Sequence, residues 1–136
     1  MLKITCAYLS AALIFALSAA GASSVLKDVN GNKEYYLYGS GSDCVIVDEN
    51  DYSPAYLAFV KGVCVKNVSE RDVLETIRRY EADLVFSERF GSVTNYYYYS
   101  NKISGYKLVK GKKINIHAAF DDGVISIGTP LIFGSY

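Results

Sequence analysis

Apolar and polar positions change their spacing several times along the chain, and each change predicts an element. Residues 4–17 are an almost unbroken apolar run that has no counterpart later in the sequence. From residue 34 onward the apolar stretches are short. "EYYLYG" (34–39), "CVIV" (44–47) and a β-branched and aromatic stretch (56–66) are separated by "GSGSD" and "DENDYSP". That pattern predicts strands joined by turns, the third strand bent at Gly62. At Ser69 the period lengthens: Val73, Leu74, Ile77 and Tyr80 fall at i, i+1, i+4 and i+7, one stripe of a helix. Ser69-Glu70-Arg71-Asp72 has the form of a capping box. Glu70, Asp72 and Glu75 come early and Arg78 and Arg79 late, as the helix dipole favours.

After residue 82 the period falls to two. Leu84 and Phe86 alternate with Asp83 and Ser87, "RFGS" turns the chain, and residues 93–100 pair back as a second strand. Residues 105–110 and 113–120 are expected to form another hairpin around Gly111. In the latter strand Ile114, Ile116, Ala118 and Phe120 share one face, and Asn115, His117 and Ala119 the other. "DDG" leads into "VISIG", and "LIF" (131–133) is too apolar for a solvated tail, so the C-terminus is expected in the core. Strands around one main helix predict an α+β domain over residues 23–136, mainly an antiparallel sheet.

The N-terminal run follows Met1-Leu2-Lys3 and is short of the ~20 residues that span a bilayer. Behind it, Ala20-Gly21-Ala22 offers the small-x-small pattern of a cleavage site, so residues 1–22 read as a signal peptide; an uncleaved anchor is the alternative. The expected location is extracytoplasmic, secreted or in the cell envelope, with no membrane span after cleavage. Lys and Arg number 14, as do Asp and Glu. Such a balance argues against a nucleic-acid partner. The distribution is uneven, with Asp43, Asp48, Glu49 and Asp51 early, and Lys102, Lys107, Lys110, Lys112 and Lys113 in an acid-free run. The usual meaning of such a run is a solvated face.

Export permits a disulfide between Cys44 and Cys64, which for a loop of this size contributes roughly 3 kcal/mol. Two buried free thiols on adjacent strands are the alternative. No CxxC or His/Cys cluster suggests zinc, the acids of "DENDYSP" lack EF-hand spacing, and "GSGSD" lacks the Lys and helix of a phosphate loop. No metal and no cofactor is expected. His117 is the sole histidine. Nucleophilic catalysis would need it beside a Ser or Cys and an acid, and there is no GxSxG elbow. The reading is therefore of a non-enzymatic cell-envelope binding or structural module, with a small secreted hydrolase using His117, or an interaction protein for a membrane-bound partner, as its rivals.

The stretch "TNYYYYSNKISGYKLVKGKK" (94–113) holds five tyrosines and five lysines. In a strand Tyr96 and Tyr98 face one way, Tyr97 and Tyr99 the other. Thr94 and Ser100 share the side of Tyr96 and Tyr98, which marks it as the wetter one, while Val93 suggests that Tyr97 and Tyr99 pack inward. Tyr96 and Tyr98 beside Lys110, Lys112 and Lys113 are then a candidate surface for an anionic cell-wall polymer or an envelope protein. An aromatic hairpin with no ligand is the plainer alternative.

The C-terminal third also resembles the end of the YwmB-like exported proteins of spore-forming Firmicutes. The resembling features are Tyr99-Ser100, Gly111-Lys112-Lys113, Asn115-Ile116 and Gly128-Thr129-Pro130-Leu131-Ile132. The resemblance implies an extracytoplasmic α+β protein with a sporulation or envelope role and no active site. That family is similar in outline to the TATA-binding-protein fold, but its export makes DNA an unsuitable partner to carry over.

Overall fold

The computed structural model describes residues 22–38, 44–53 and 60–132. The expected signal sequence up to residue 21, the break at 39–43, the start of the 56–66 stretch and the closing "FGSY" lie outside them. A short helix α1 (Ala22–Val25) precedes β1 (Asn32–Tyr38), β2 (Cys44–Asp48) and β3 (Val60–Lys66). The main helix α2 (Glu70–Arg79) follows, then β4 (Asp83–Phe90) and β5 (Val93–Tyr99). The chain continues with β6 (Lys107–Val109), β7 (Lys112–Ile114), β8 (Ile116–Asp121) and β9 (Val124–Thr129). Seven strands make one antiparallel sheet in the order β2-β1-β3-β9-β8-β5-β4, and β6 and β7 form a separate hairpin. This is the α+β architecture the periodicities predict.

The helix begins where its cap residue dictates. Ser69 Oγ accepts from the Asp72 N–H at 3.1 Å. The reciprocal half of the capping box is replaced, because Asp72 Oδ2 accepts from the Asn30 N–H instead. At the other end the Glu81 N–H donates to the Arg78 carbonyl and the Ala82 N–H to the Ile77 carbonyl. With Glu81 left-handed at φ 48°, this is a Schellman ending made without glycine. The buried stripe is Val73 and Thr76, flanked by half-buried Ile77 and Tyr80; Leu74, expected in it, is 58% exposed. The Thr76 hydroxyl is satisfied by the Asp72 carbonyl at 2.8 Å.

One face of the sheet carries the main core. Val73 of α2 and Val25, Leu26 and Val29 around α1 pack on Val63, Val65, Ile116, Ala118, Ile125 and Ile127. Each such side chain is worth about 1.5–3 kcal/mol when fully buried. The opposite face holds a second cluster of Tyr36, Cys64, Ala119 and Ile132. The segment after β9 folds over this face at Gly128, where a Cβ would lie only 2.8 Å from the Leu131 carbonyl oxygen. Ile132 is accordingly buried, so the C-terminal segment belongs to the core as far as it is described.

Three local expectations change. The strand expected over 113–120 breaks at Asn115, whose side chain turns inward. Its Oδ1 accepts from the Ser100 N–H at 2.8 Å, and its Nδ2 donates to the Ser100 carbonyl at 2.7 Å and the Gly105 carbonyl at 3.3 Å. β8 stays in the main sheet while β7 leaves it to pair with β6. The bend expected at Gly62 is a β-bulge at its neighbour: Tyr36 pairs Gly62 and Leu37 pairs Val60, so Lys61 is the extra residue. Finally, the expected Cys44–Cys64 bridge gives way to a free, buried Cys64. β1 runs between the two cysteine strands, with Cys44 opposite Tyr38 and Cys64 opposite Glu34. Two strand spacings of ~4.8 Å and four residues of ~3.3 Å separate the Cα atoms, well beyond the ~7 Å that a disulfide tolerates. For the same reason the two strands are not adjacent.

Candidate functional site

His117 is the first residue to test, because it carried the hydrolase alternative. It is 3% exposed. Its Nδ1 accepts from the Ile132 N–H at 3.2 Å, and its Nε2 lies 2.7 Å from Asn95 Oδ1. An imidazole that accepts at Nδ1 and stays neutral carries its proton on Nε2, so both ring nitrogens are engaged inside the fold. Burial pushes its pKa down to about 4, against a smaller upward pull from Glu88. Cys64 is no partner for it. Both residues lie opposite Gly128 from its two flanking strands, which puts them ~9–10 Å apart. Burial also pushes the Cys64 thiol up to about 11 despite a hydrogen bond with Tyr36. A buried neutral thiol beyond reach of a neutral imidazole is not a nucleophilic pair.

The tyrosine strand is oriented otherwise than expected. Tyr98, Tyr96 and Thr94 pair in register with Ile116, Ala118 and Phe120, which belong to the helix-covered face. Tyr96 and Tyr98 are therefore half-buried against the main core, Tyr96 meeting the Phe120 ring edge-on at 5.4 Å. Burial pushes the Tyr98 hydroxyl above its ordinary value. Ser100, thought to mark a wet side, is buried, with its hydroxyl donating to the Tyr80 carbonyl. Tyr97 does pack inward, on the other face, in a column with Phe86 and His117 at centroid spacings of 4.5 Å each. Tyr96 and Tyr98 are thus not beside the lysines of the hairpin.

The lysines are gathered on β6–β7. Val109 pairs Lys112 across a two-residue loop in which Lys110 and Gly111 have φ of 52° and 76°. Positive φ at both positions is the type I′ turn that suits strand twist. The hairpin is anchored to the sheet through Lys110, whose Nζ is 2.7 Å from Glu88 Oε2. The Tyr97 hydroxyl donates to the other Glu88 oxygen at 2.9 Å. Those hydrogen bonds, that from Lys110 foremost, hold the Glu88 carboxyl below its ordinary value. Lys110 and Lys112 lie 5.5 and 5.7 Å from the Phe86 ring centroid.

Charge on the hairpin is therefore only partly available. Lys110 is neutralised by Glu88, and Lys102 pairs with Glu81 at 3.1 Å. Lys107, Lys112 and Lys113 have no carboxylate partner among the described residues. The aromatic ring beside Lys113 is Tyr106, 48% exposed, with Lys113 Nζ at 4.7 Å from its centroid. Leu108 is 65% exposed on the same hairpin. Tyr106 was passed over in the sequence, although it precedes β6 directly and "GYKLVKGKK" makes it the hairpin's own tyrosine.

A wider depression of about 520 Å³ lies at the start of α2. Most of its polar groups are already committed to one another: Ser69 to Asp72, Asp72 to Asn30, and Arg71 to Glu75 at 3.1 Å. Asp48, the foremost acid of the early cluster, accepts from the N–H groups of Asn50 and Asp51 and closes a turn. Among the described residues no group of His, Cys, Asp and Glu side chains has the arrangement to hold a metal ion. Comparison with known proteins finds no matching family model, no matching curated protein and no matching solved structure.

Proposed function

We propose that this chain is an exported, non-enzymatic binding module of the cell envelope, and that β6–β7 is the element that holds its ligand, an anionic cell-wall polymer. The observation that carries this reading is Lys113, without a carboxylate partner among the described residues, set over the exposed ring of Tyr106 on an anchored hairpin. Lys113 lies over Tyr106, Lys107 and Lys112 lack carboxylate partners among the described residues, and Lys110 fastens the hairpin to Glu88. A near-neutral molecule with one such patch attracts polyanions locally, and the tyrosine adds an apolar face for sugar or polyol carbons. Export itself is proposed from residues 1–22, and a sporulation link from the C-terminal resemblance to the YwmB-like proteins.

The engagement of both His117 nitrogens weighs against the hydrolase alternative. Pull-down on isolated cell walls tests the proposal. Lys112→Glu/Lys113→Glu lowers retention severalfold in a protein with an unchanged circular dichroism spectrum, and Tyr106→Ala lowers it further. Equal retention of a folded charge-reversal variant removes the hairpin from the account.

A further inference from the structure

The main sheet ends on one side at β4, an eight-residue strand. β4 pairs with β5, and among the described residues no strand pairs with its outer edge. An open edge is a row of backbone donors and acceptors, which proteins commonly guard with charge, proline or a bulge. Here a bulge stands at one end only: Leu84 pairs Tyr98 and Phe86 pairs Tyr97, so Val85 is the extra residue. At the other end Phe90 pairs Val93 across the Gly91-Ser92 turn. Between bulge and turn lies a regular run, Phe86-Ser87-Glu88-Arg89-Phe90, that contains no proline. Its charges are engaged inside the protomer. Glu88 is held by Lys110 and the Tyr97 hydroxyl, and Arg89 Nε donates to the Gly91 carbonyl at 3.2 Å.

The run is symmetric about Glu88, with a polar residue on each side and a phenylalanine at each end. An antiparallel pair made across a two-fold axis sets residue i against j and j against i, so symmetry of this kind is self-complementarity. With the axis at Glu88, Phe86 meets Phe90 of a second copy twice, and Ser87 meets Arg89 twice. The pairing stops at Val85 and Gly91, where the strand itself stops being regular. Phe90 is 66% exposed, and Phe86 is the outermost ring of the column through Tyr97 and His117. The register lays each Phe90 against the open end of the other copy's column. Glu88 then lies opposite itself, and bare like charges there would oppose pairing. Each carboxylate brings its own Lys110 at 2.7 Å, so two neutralised pairs meet at the axis. Moving the axis to Ser87 sets Phe86 against Glu88, and moving it to Phe86 runs both bulges into the ladder. We infer that the chain forms a two-fold dimer through residues 86–90 of β4, which joins the two main sheets edge to edge. Glu88 shares its face with the hairpin tip, and an axis normal to the sheet puts both hairpins on that same face. A polymer then meets two lysine patches at once, which raises avidity; this consequence rests on the hairpin reading, and the dimer itself does not.

Sedimentation velocity of the residue 23–136 protein over a concentration series tests it. The expected result is a monomer that gives way to a dimer as concentration rises, with backbone amide shifts that move with concentration along residues 86–90. Phe90→Ser weakens the dimer roughly tenfold, because a two-fold interface loses the same ring contact twice. Leu84→Ser, at a side chain 54% exposed on the far side of the bulge, leaves the dimer unchanged. Both side chains are exposed, and circular dichroism reports that each variant is folded. A monomer at every concentration, a dimer indifferent to Phe90→Ser, or one weakened equally by Leu84→Ser overturns the inference. The two readings fail separately. A monomer that binds walls keeps the hairpin and removes the dimer, and a dimer that ignores walls keeps the dimer and removes the polymer.

Discussion

His117 ties the stability of the molecule to pH through a proton it does not take up. In the folded chain its pKa is lowered from 6.5 to about 4, so the unfolded chain binds the extra proton first as pH falls. The stabilising contribution is complete above about pH 6.5, declines between there and pH 4, and is then lost. A shift of this size amounts to about 3 kcal/mol. Urea midpoints of the wild type should therefore fall steeply from pH 6.5 to 4. A folded His117→Gln variant should show a shallower decline in that window, with only the carboxylates still titrating. An identical slope in both proteins would mean that the imidazole is not buried between Ile132 and Asn95. Tyr98 makes a second claim at this scale. Because it packs against the main core and not beside the lysines, Tyr98→Ala should lower the melting temperature, while Tyr106→Ala should leave it nearly unchanged. The sequence showed the alternation of these tyrosines but not which side was wet. That was decided by β8, a partner strand about twenty positions away, whose apolar face Tyr96 and Tyr98 join in register.

Elements defined by short-range rules were legible, and those defined by long-range pairing were less so. The start of α2 follows from Ser69 alone, and replacing it with Ala should cost about 1 kcal/mol in chemical denaturation. The turns at Lys110-Gly111 and Asp122-Gly123 were likewise visible, because positive φ at adjacent positions selects such residues. By contrast, nothing local to Cys44 or Cys64 says that β1 runs between their strands. Nor does the 113–120 pattern reveal that Asn115 would leave the ladder to hold the loop at residues 100–105. The C-terminal segment was legible from its apolarity, and the second sheet face explains where it goes. Deleting residues 129–136 removes Ile132 from Tyr36, Cys64 and Ala119 and takes its N–H from His117. The expected loss is several kcal/mol, since it combines a buried side chain with a stranded acceptor; a shift of the urea midpoint would report it.

At the scale of the whole molecule, a seven-stranded sheet with a core on each face supports a small hairpin that buries Ile114 while Tyr106, Lys112 and Lys113 stay exposed. Binding and stability should therefore be separable by mutation. The proposed cleavage after Ala22 would leave Val25 and Leu26, both 1% exposed, in the folded chain. Intact mass of the secreted species should correspond to a chain starting at Ser23. The most direct test of the account is retention of that species on isolated cell walls as salt is raised. Screening shortens from about 10 Å at 0.1 M to about 3 Å at 1 M. The account predicts strong retention at low salt that falls steadily to near background, with Lys112→Glu/Lys113→Glu retained severalfold less at low salt while remaining folded. Retention that ignores salt and is shared by the charge-reversal variant would contradict it.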